Sequence, residues 1–180
     1  MRKLIYAINL TIDGCCDHTK GIPNEEVHEF YTNMLRDTGL LLYGRITYQL
    51  MVPFWPDMAK NHSGQTKAMN DFAQIFTAID KVVVSGTYNG SEATIIRTNL
   101  QEEIQKLKQA PGKDILTGGV DLPSQLIQLG LVDEYRIVVH PAFAGEGRRL
   151  LTDIRMEQLP VKLVESISFK SGHVALRYTV

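Results

Sequence analysis

Short apolar runs that alternate with helical stripes, and that stop at glycine, constrain this 180-residue chain more than any other feature. Leu4–Ile8 and Leu40–Tyr43 are nearly unbroken apolar segments, and Val82–Val84 and Ile115–Leu116 repeat the pattern in shorter form. Runs of this length read as strands buried on both faces, within expected segments at 81–85 and 114–117. Between them Val27, Phe30, Tyr31, Met34 and Leu35 recur at helical spacing, with Asn24 placed to cap and Gly39 to stop the helix. Residues 65–79 carry Met69, Phe72, Phe76 and Ile79 on a second stripe. A third helix starts near Asn99, which with Glu102 has the form of a capping box and turns Leu100, Ile104 and Leu107 inward. A fourth spans about 122–129, with Pro123 in its first turn and Gly130 at its end. A short helix is expected over 46–51, closed by Pro53 and Pro56, and a small strand over 93–96.

From Val132 the pattern changes to strands alone, at 134–140, 161–169 and 173–180, the last two joined by a Lys170-Ser171-Gly172 turn. Alternating strands and helices followed by strands predict an α/β fold. It is a three-layer αβα arrangement around a mixed, mainly parallel sheet whose C-terminal strands are antiparallel. No long linker, repeat or low-complexity tract interrupts the chain, so a single domain over 1–180 is expected.

Nineteen Lys and Arg against twenty Asp and Glu leave a net charge of -1, which argues against a chain made to coat nucleic acid or anionic lipid. The two cysteines, Cys15 and Cys16, are adjacent and so do not form a disulfide framework, which fits a reducing compartment. No apolar run approaches the roughly 20 residues of a membrane helix. A soluble, cytoplasmic protein is expected.

Three buried strands end in similar corners: Tyr43-Gly44-Arg45-Ile46-Thr47, Val84-Ser85-Gly86-Thr87 and Leu116-Thr117-Gly118-Gly119-Val120. Parallel strands bring their carboxyl ends to one edge of an open sheet, where ligands bind. Glycine lets backbone amides approach a bulky anion, and a following helix N-terminus favours phosphate oxygens. Thr47, Ser85 and Thr117 add hydroxyls, and Arg45, with Arg97, adds a cation able to meet a 2′-phosphate. A pyrophosphate-bearing nucleotide, NADP in preference to NAD, is therefore expected across that edge. Neither G-x-G-x-x-G nor a P-loop is present.

Along nearly its whole length the chain resembles the dihydrofolate reductase fold. It is closest to the reductase domain of bacterial bifunctional riboflavin-biosynthesis proteins. The resemblance rests on Gly44-Arg45-Ile46-Thr47-Tyr48 running on to Phe54-Trp55-Pro56, and on Gly118-Gly119 with the helix after it. It continues in Gly130-Leu131-Val132-Asp133-Glu134 leading to His140-Pro141 and Gly145-Glu146-Gly147, and Asn9–Gly14 matches the first strand and loop.

This resemblance implies NADPH as hydride donor. Gly44, Arg45 and Thr47 would meet the adenosine phosphate and pyrophosphate, and Ser85 and Gly86 the adenine-ribose side. Gly118, Gly119, Val120 and Leu122, next to Thr117, would hold the pyrophosphate, and Ala7 would lie near the nicotinamide. Asn9, Asp13, Tyr48 and Trp55 would line the substrate.

Reduction of a C=N or C=O bond needs a proton as well as a hydride. Dihydrofolate reductases place a carboxylate on the first helix for this purpose. An ungapped count from Gly44-Arg45 lands here on His28, flanked by Glu25, Glu26 and Glu29, and none of these is clearly the matching acid. The catalytic residue is thus unassigned, with Asp13 the weak candidate and an equally good turn former. Trp55 has two readings, a stacking surface or a core cap. Arg148 and Arg149 read as a substrate-phosphate site or as an exposed pair. The five histidines are scattered and no metal site is expected.

Three functions remain open at this stage. The first is an NADPH-dependent reductase of a small heterocycle, similar to 5-amino-6-(5-phosphoribosylamino)uracil reductase of riboflavin biosynthesis. The others are a divergent dihydrofolate reductase and a non-catalytic NADP-binding module. A homodimer through the apolar C-terminal strands is the expected assembly.

Overall fold

The structure is a computed structural model that describes residues 1–151 and 158–180. Eight strands form one sheet: β1 (Leu4–Thr11), β2 (Thr38–Gly44), β3 (Lys81–Val84), β4 (Thr94–Ile96), β5 (Asp114–Thr117), β6 (Glu134–His140), β7 (Lys162–Ser168) and β8 (Val174–Thr179). Their order is β4-β3-β2-β5-β1-β6-β8-β7. The six strands from β4 to β6 pair in parallel, with Ile5 opposite Leu116 on one side of β1 and Glu134 on the other. β8 and β7 add antiparallel strands at one edge. The mixed sheet expected from the sequence is the one observed.

Alternate side chains of each central strand enter different cores. Leu4, Tyr6, Leu40, Leu42 and Ile115 face α4 (Leu100–Gln109) and α5 (Asp121–Gln128), burying Ile104, Leu122, Leu126 and Ile127. Ile5, Leu41, Tyr43, Val83 and Leu116 face the opposite layer. That layer holds α1 (Glu25–Arg36), α2 (Arg45–Asn61) and α3 (Lys67–Ala78), with Leu35, Tyr48, Phe72 and Phe76 buried. The sheet is therefore sandwiched between two helical layers, which is what near-continuous apolar runs require.

The helix starting at Arg45 does not stop at Met51. α2 runs through Pro53 and Pro56 to Asn61, where His62 adopts a left-handed conformation and donates to the Met58 carbonyl. Each proline removes one backbone bond and costs on the order of 3 kcal/mol. Packing of Tyr48, Met51, Val52 and Trp55 against the α1/α3 layer offsets that loss. The capping box at Asn99 is also absent. Asn99 sits at φ 55 without a side-chain cap, a conformation asparagine tolerates, and Glu102 pairs with Lys106 at 3.0 Å instead. No helix among the described residues is long and apolar enough to cross a membrane.

Candidate active site

Strands β1, β2 and β5 are neighbours, and their carboxyl ends open onto a cavity of about 1020 Å³. β2 ends at Gly44, the residue that opens α2, and β5 is joined to α5 by Gly118-Gly119-Val120. Neither helix start carries a side-chain cap. The contrast with α1 and α3 is informative, since there Asn24 and Thr66 accept from Val27 N at 2.9 Å and Met69 N at 3.2 Å. Uncapped N-termini present amides and the positive end of the helix dipole to an anion.

The two corners touch. A Cβ on Gly119 would lie 2.2 Å from Thr47 Oγ1, and Gly119 holds φ +89, so the position tolerates only glycine. Its carbonyl accepts from Tyr6 OH at 2.9 Å, which fixes the peptide. Beside it the Thr117 hydroxyl is buried and has no hydrogen-bond partner among the described residues. Arg45 stands exposed on the same wall, with Nη1 3.3 Å from Gln49 Oε1.

The opposite part of the cavity is aromatic. Trp55 tilts against Phe72 at 4.5 Å between ring centroids, and His28 meets both rings edge-on at 6.2 and 6.3 Å. Tyr31 OH donates to Asn9 Oδ1 at 2.9 Å and so orients that amide, while burial pushes the phenol up from its ordinary value. His28 donates through Nδ1 to the Asn24 carbonyl at 2.8 Å, because a carbonyl only accepts.

A third wall carries Cys16, Asp17, His18, His140 and Arg148. Asp17 accepts from the amide and hydroxyl of Thr19, which hold its carboxyl below the ordinary range. Burial raises the Cys16 thiol, which donates to the Arg148 carbonyl at 3.1 Å. Arg148 itself pairs with Asp121, the first residue of α5. His140 accepts from Ile22 N through Nδ1 at 2.8 Å, so the neutral ring carries its proton on Nε2, an atom that is buried with no partner among the described residues. Burial, and then His173, push His140 down to about 4.

Of the residues expected at a nucleotide, Ala7, Gly44, Arg45 and Thr47 line this cavity, as do Thr117, Gly118, Gly119, Val120 and Leu122. Ser85 and Gly86 do not. Ser85 Oγ accepts from Thr87 N at 3.2 Å and Tyr88 N at 3.0 Å, closing a tight turn beyond β3. Arg97 lies over that turn, near Gly86 O and Asn89.

Of the residues expected at a substrate, Asn9 and Trp55 line the cavity and two do not. Tyr48 is buried against Tyr88 at 5.3 Å. Asp13 accepts from Thr11 Oγ1, Ala144 N and Gly145 N, at 2.5, 3.0 and 2.9 Å. These bonds hold its carboxyl well below the ordinary range, so it clamps two loops and has no proton to give near neutrality. Arg149 donates to the Asp13 carbonyl and also lies outside the cavity.

The residues that sequence reasoning missed as wall groups are Tyr31 and Phe72, read as core stripe, His140, read only as part of the His140-Pro141 match, and Asp17, which carries no local motif. Only the tertiary fold brings them together.

Against this geometry the comparisons with known proteins are decisive for the family. The profile described as the RibD C-terminal domain matches residues 2–175. The chain belongs to the RibD C-terminal domain family. It is 33% identical over 183 residues to YyaP of Bacillus subtilis (strain 168), covering 98% of this chain and 94% of that one. Among solved structures it resembles the Thermotoga maritima diaminohydroxyphosphoribosylaminopyrimidine deaminase/5-amino-6-(5-phosphoribosylamino)uracil reductase. The TM-score is 0.65 at 15% identity, and the match covers 99% of this chain but 56% of that one. The Enterococcus faecalis dihydrofolate reductase complexed with NADP(H) gives a TM-score of 0.60 at 14% identity, covering 98% of this chain and 95% of that one. The RibD C-terminal domain chain described here thus has a dihydrofolate reductase-like fold.

Proposed function

We propose that this RibD C-terminal domain protein is an NADPH-dependent reductase of a small heterocyclic substrate, similar to 5-amino-6-(5-phosphoribosylamino)uracil reductase. One observation carries the reading: two uncapped helix starts, in contact through Gly119 and Thr47, open on one cavity whose far wall is aromatic. The residues present fit a dinucleotide. The Thr117 hydroxyl is orphaned, the glycine corners leave the amides accessible, and Arg45 supplies a guanidinium on the same wall.

NADPH, when bound, supplies the hydride. The first amides of α2 and α5 would hold its pyrophosphate, and Arg45 its extra phosphate. Asn9, oriented by Tyr31, would fix a polar edge of the substrate, and Trp55 would stack on its flat face. Family membership and the printed activity of the Thermotoga relative support this choice of chemistry.

The test is a titration with NADPH followed by turnover of 5-amino-6-(5-phosphoribosylamino)uracil, read at the NADPH absorbance. Saturable binding with turnover is expected. Absence of NADPH binding would overturn the reading.

A further inference from the structure

We infer that His28 is the catalytic residue that delivers the proton to the substrate, through Nε2. This rests on the reductase reading above, and it follows from what each ionisable group on the cavity wall can still do.

The acids on the wall are committed elsewhere. Asp17 is held as a carboxylate by Thr19, and Asp121 is paired with Arg148. Tyr31 already donates its hydroxyl proton to Asn9, and burial pushes it and Tyr43 away from neutrality. The Cys16 thiol is turned to the Arg148 carbonyl. Arginine does not release protons in this range.

Among the imidazoles, His140 has Nδ1 occupied by Ile22 N, and its Nε2 is sealed from solvent. His18 sits on an exposed turn, its side chain 69% accessible and facing Asp17 at 3.8 Å, so nothing fixes its ring against the cavity. His28 is different on every count. Its Nδ1 is tied to the Asn24 carbonyl, and the edges of Trp55 and Phe72 orient the ring. Nε2 has no partner among the described residues and is not one of the buried unpaired atoms. A ring anchored at one nitrogen and open at the other is a preorganised acid–base group.

The surroundings set its range. α1 offers the Asn24 carbonyl, with Glu25 and Glu29 at neighbouring positions, while α2 and α3 present the rings of Trp55 and Phe72. Burial lowers the imidazole from its ordinary value and the carbonyl partly restores it, with no charged side chain contributing.

The carbon of a substrate C=N bond gains a hydride, with its electron pair, from the dihydronicotinamide. The nitrogen gains the proton from the imidazolium Nε2–H, whose bonding pair stays on the ring. Neutral His28 then takes a proton from water at the cavity mouth.

The experiment uses the full chain, NADPH and 5-amino-6-(5-phosphoribosylamino)uracil. kcat/KM of the native protein should fall about tenfold per pH unit above the His28 pKa. H28N keeps an amide donor for Asn24 O and H28Q places an amide near Nε2, and neither titrates. Both should lower kcat by about 10²–10⁴ and flatten that limb, with NADPH affinity unchanged within about twofold. If the variants fold poorly, ¹H–¹⁵N spectra of the native imidazoles serve instead. The His28 titration should then shift when the uracil compound and NADP⁺ are added together.

Variants that bind NADPH and keep the native pH profile would overturn the assignment, as would H18Q abolishing the limb or an unmoved His28 titration. Failure of the native protein to bind NADPH at all would instead overturn the reductase reading and this inference with it.

Discussion

Acid should destabilise this protein through one histidine, by an amount that can be worked out and isolated. His140 is 2% exposed, accepts from Ile22 N, and is pushed from 6.5 to about 4 by burial and by His173. The native ring therefore stays neutral while the ring of the unfolded chain protonates. Its stabilising contribution is complete above about pH 6.5 and is lost as pH falls toward about 4, below which both states are protonated. At about 1.4 kcal/mol per unit, the loss over that window is roughly 3 kcal/mol. Asp13, Asp17 and Glu26, whose hydrogen bonds lower their carboxyls, add their own losses on acidification. A variant that removes only the histidine cancels them. In His140→Asn, Oδ1 takes the place of Nδ1 as acceptor for Ile22 N–H but cannot be protonated in this range. Urea unfolding of both proteins, followed from about pH 7.5 to about pH 4, should show the native protein's advantage shrinking by roughly 3 kcal/mol. Parallel curves would mean that the ring takes up its proton in the folded state as readily as outside it, and the argument from burial would be refuted.

Arg45→Ala should weaken NADPH by roughly 1–3 kcal/mol and NADH much less, as measured by calorimetry, if the guanidinium meets the extra phosphate. Gly119→Ala forces a Cβ onto Thr47 Oγ1 at positive φ. A loss of roughly 1–3 kcal/mol in unfolding free energy is expected, together with weaker NADPH binding, because α2 and α5 must separate at their starts. Lys108→Met removes a buried ammonium that donates to Leu131 O and Asp133 Oδ1, both at 2.9 Å, and leaves the Asp133 carboxylate with Leu4 N as its one hydrogen-bond donor among the described residues. Thermal unfolding should show a loss of roughly 1–3 kcal/mol.

The parallel strands and most helix limits were legible in the sequence because burial on both faces leaves a signal in each segment by itself. Lys81–Val84 and Glu134–His140 are short enough that flanking Gly and Asp mark their ends. α2 was misread because proline is a local rule, whereas the packing of Trp55 against α3 and the burial of Met58 are not visible in a window. The glycine corners of β2 and β5, expected at one sheet edge, do line one cavity, whereas the corner of β3, expected beside them on the same local grounds, does not. All three look alike in sequence, but β3, one strand beyond β2, brings only Val84 to the cavity, and Ser85 and Gly86 turn beyond it. That Asp13 and Tyr48 stand outside the cavity was not legible for a further reason. Their partners, Ala144–Gly145 and Tyr88, are distant along the chain, and only those partners show that the side chains are already engaged.

What sets the β2 and β5 corners together on one cavity, with the β3 corner outside it, is the order of crossovers. From β2 the chain leaves into α2, which packs with α1 and α3 on one face. From β5, the adjacent strand, it leaves into α5, which packs with α4 on the other face. Neighbouring parallel strands whose helices depart to opposite faces cannot close the space between their ends, and a crevice results at that switch point. β3 and β4 follow β2 on one side, whereas β5 returns between β2 and β1. Among the parallel strands the chain therefore reverses direction once, and the switch between β2 and β5 falls where the uncapped starts of α2 and α5 meet. The same reversal leaves α1 spanning from β1 to β2 over the inserted β5. This sets His28 and Tyr31 on the cavity wall, so one topological event supplies both the uncapped glycine corners and the helix that bears His28.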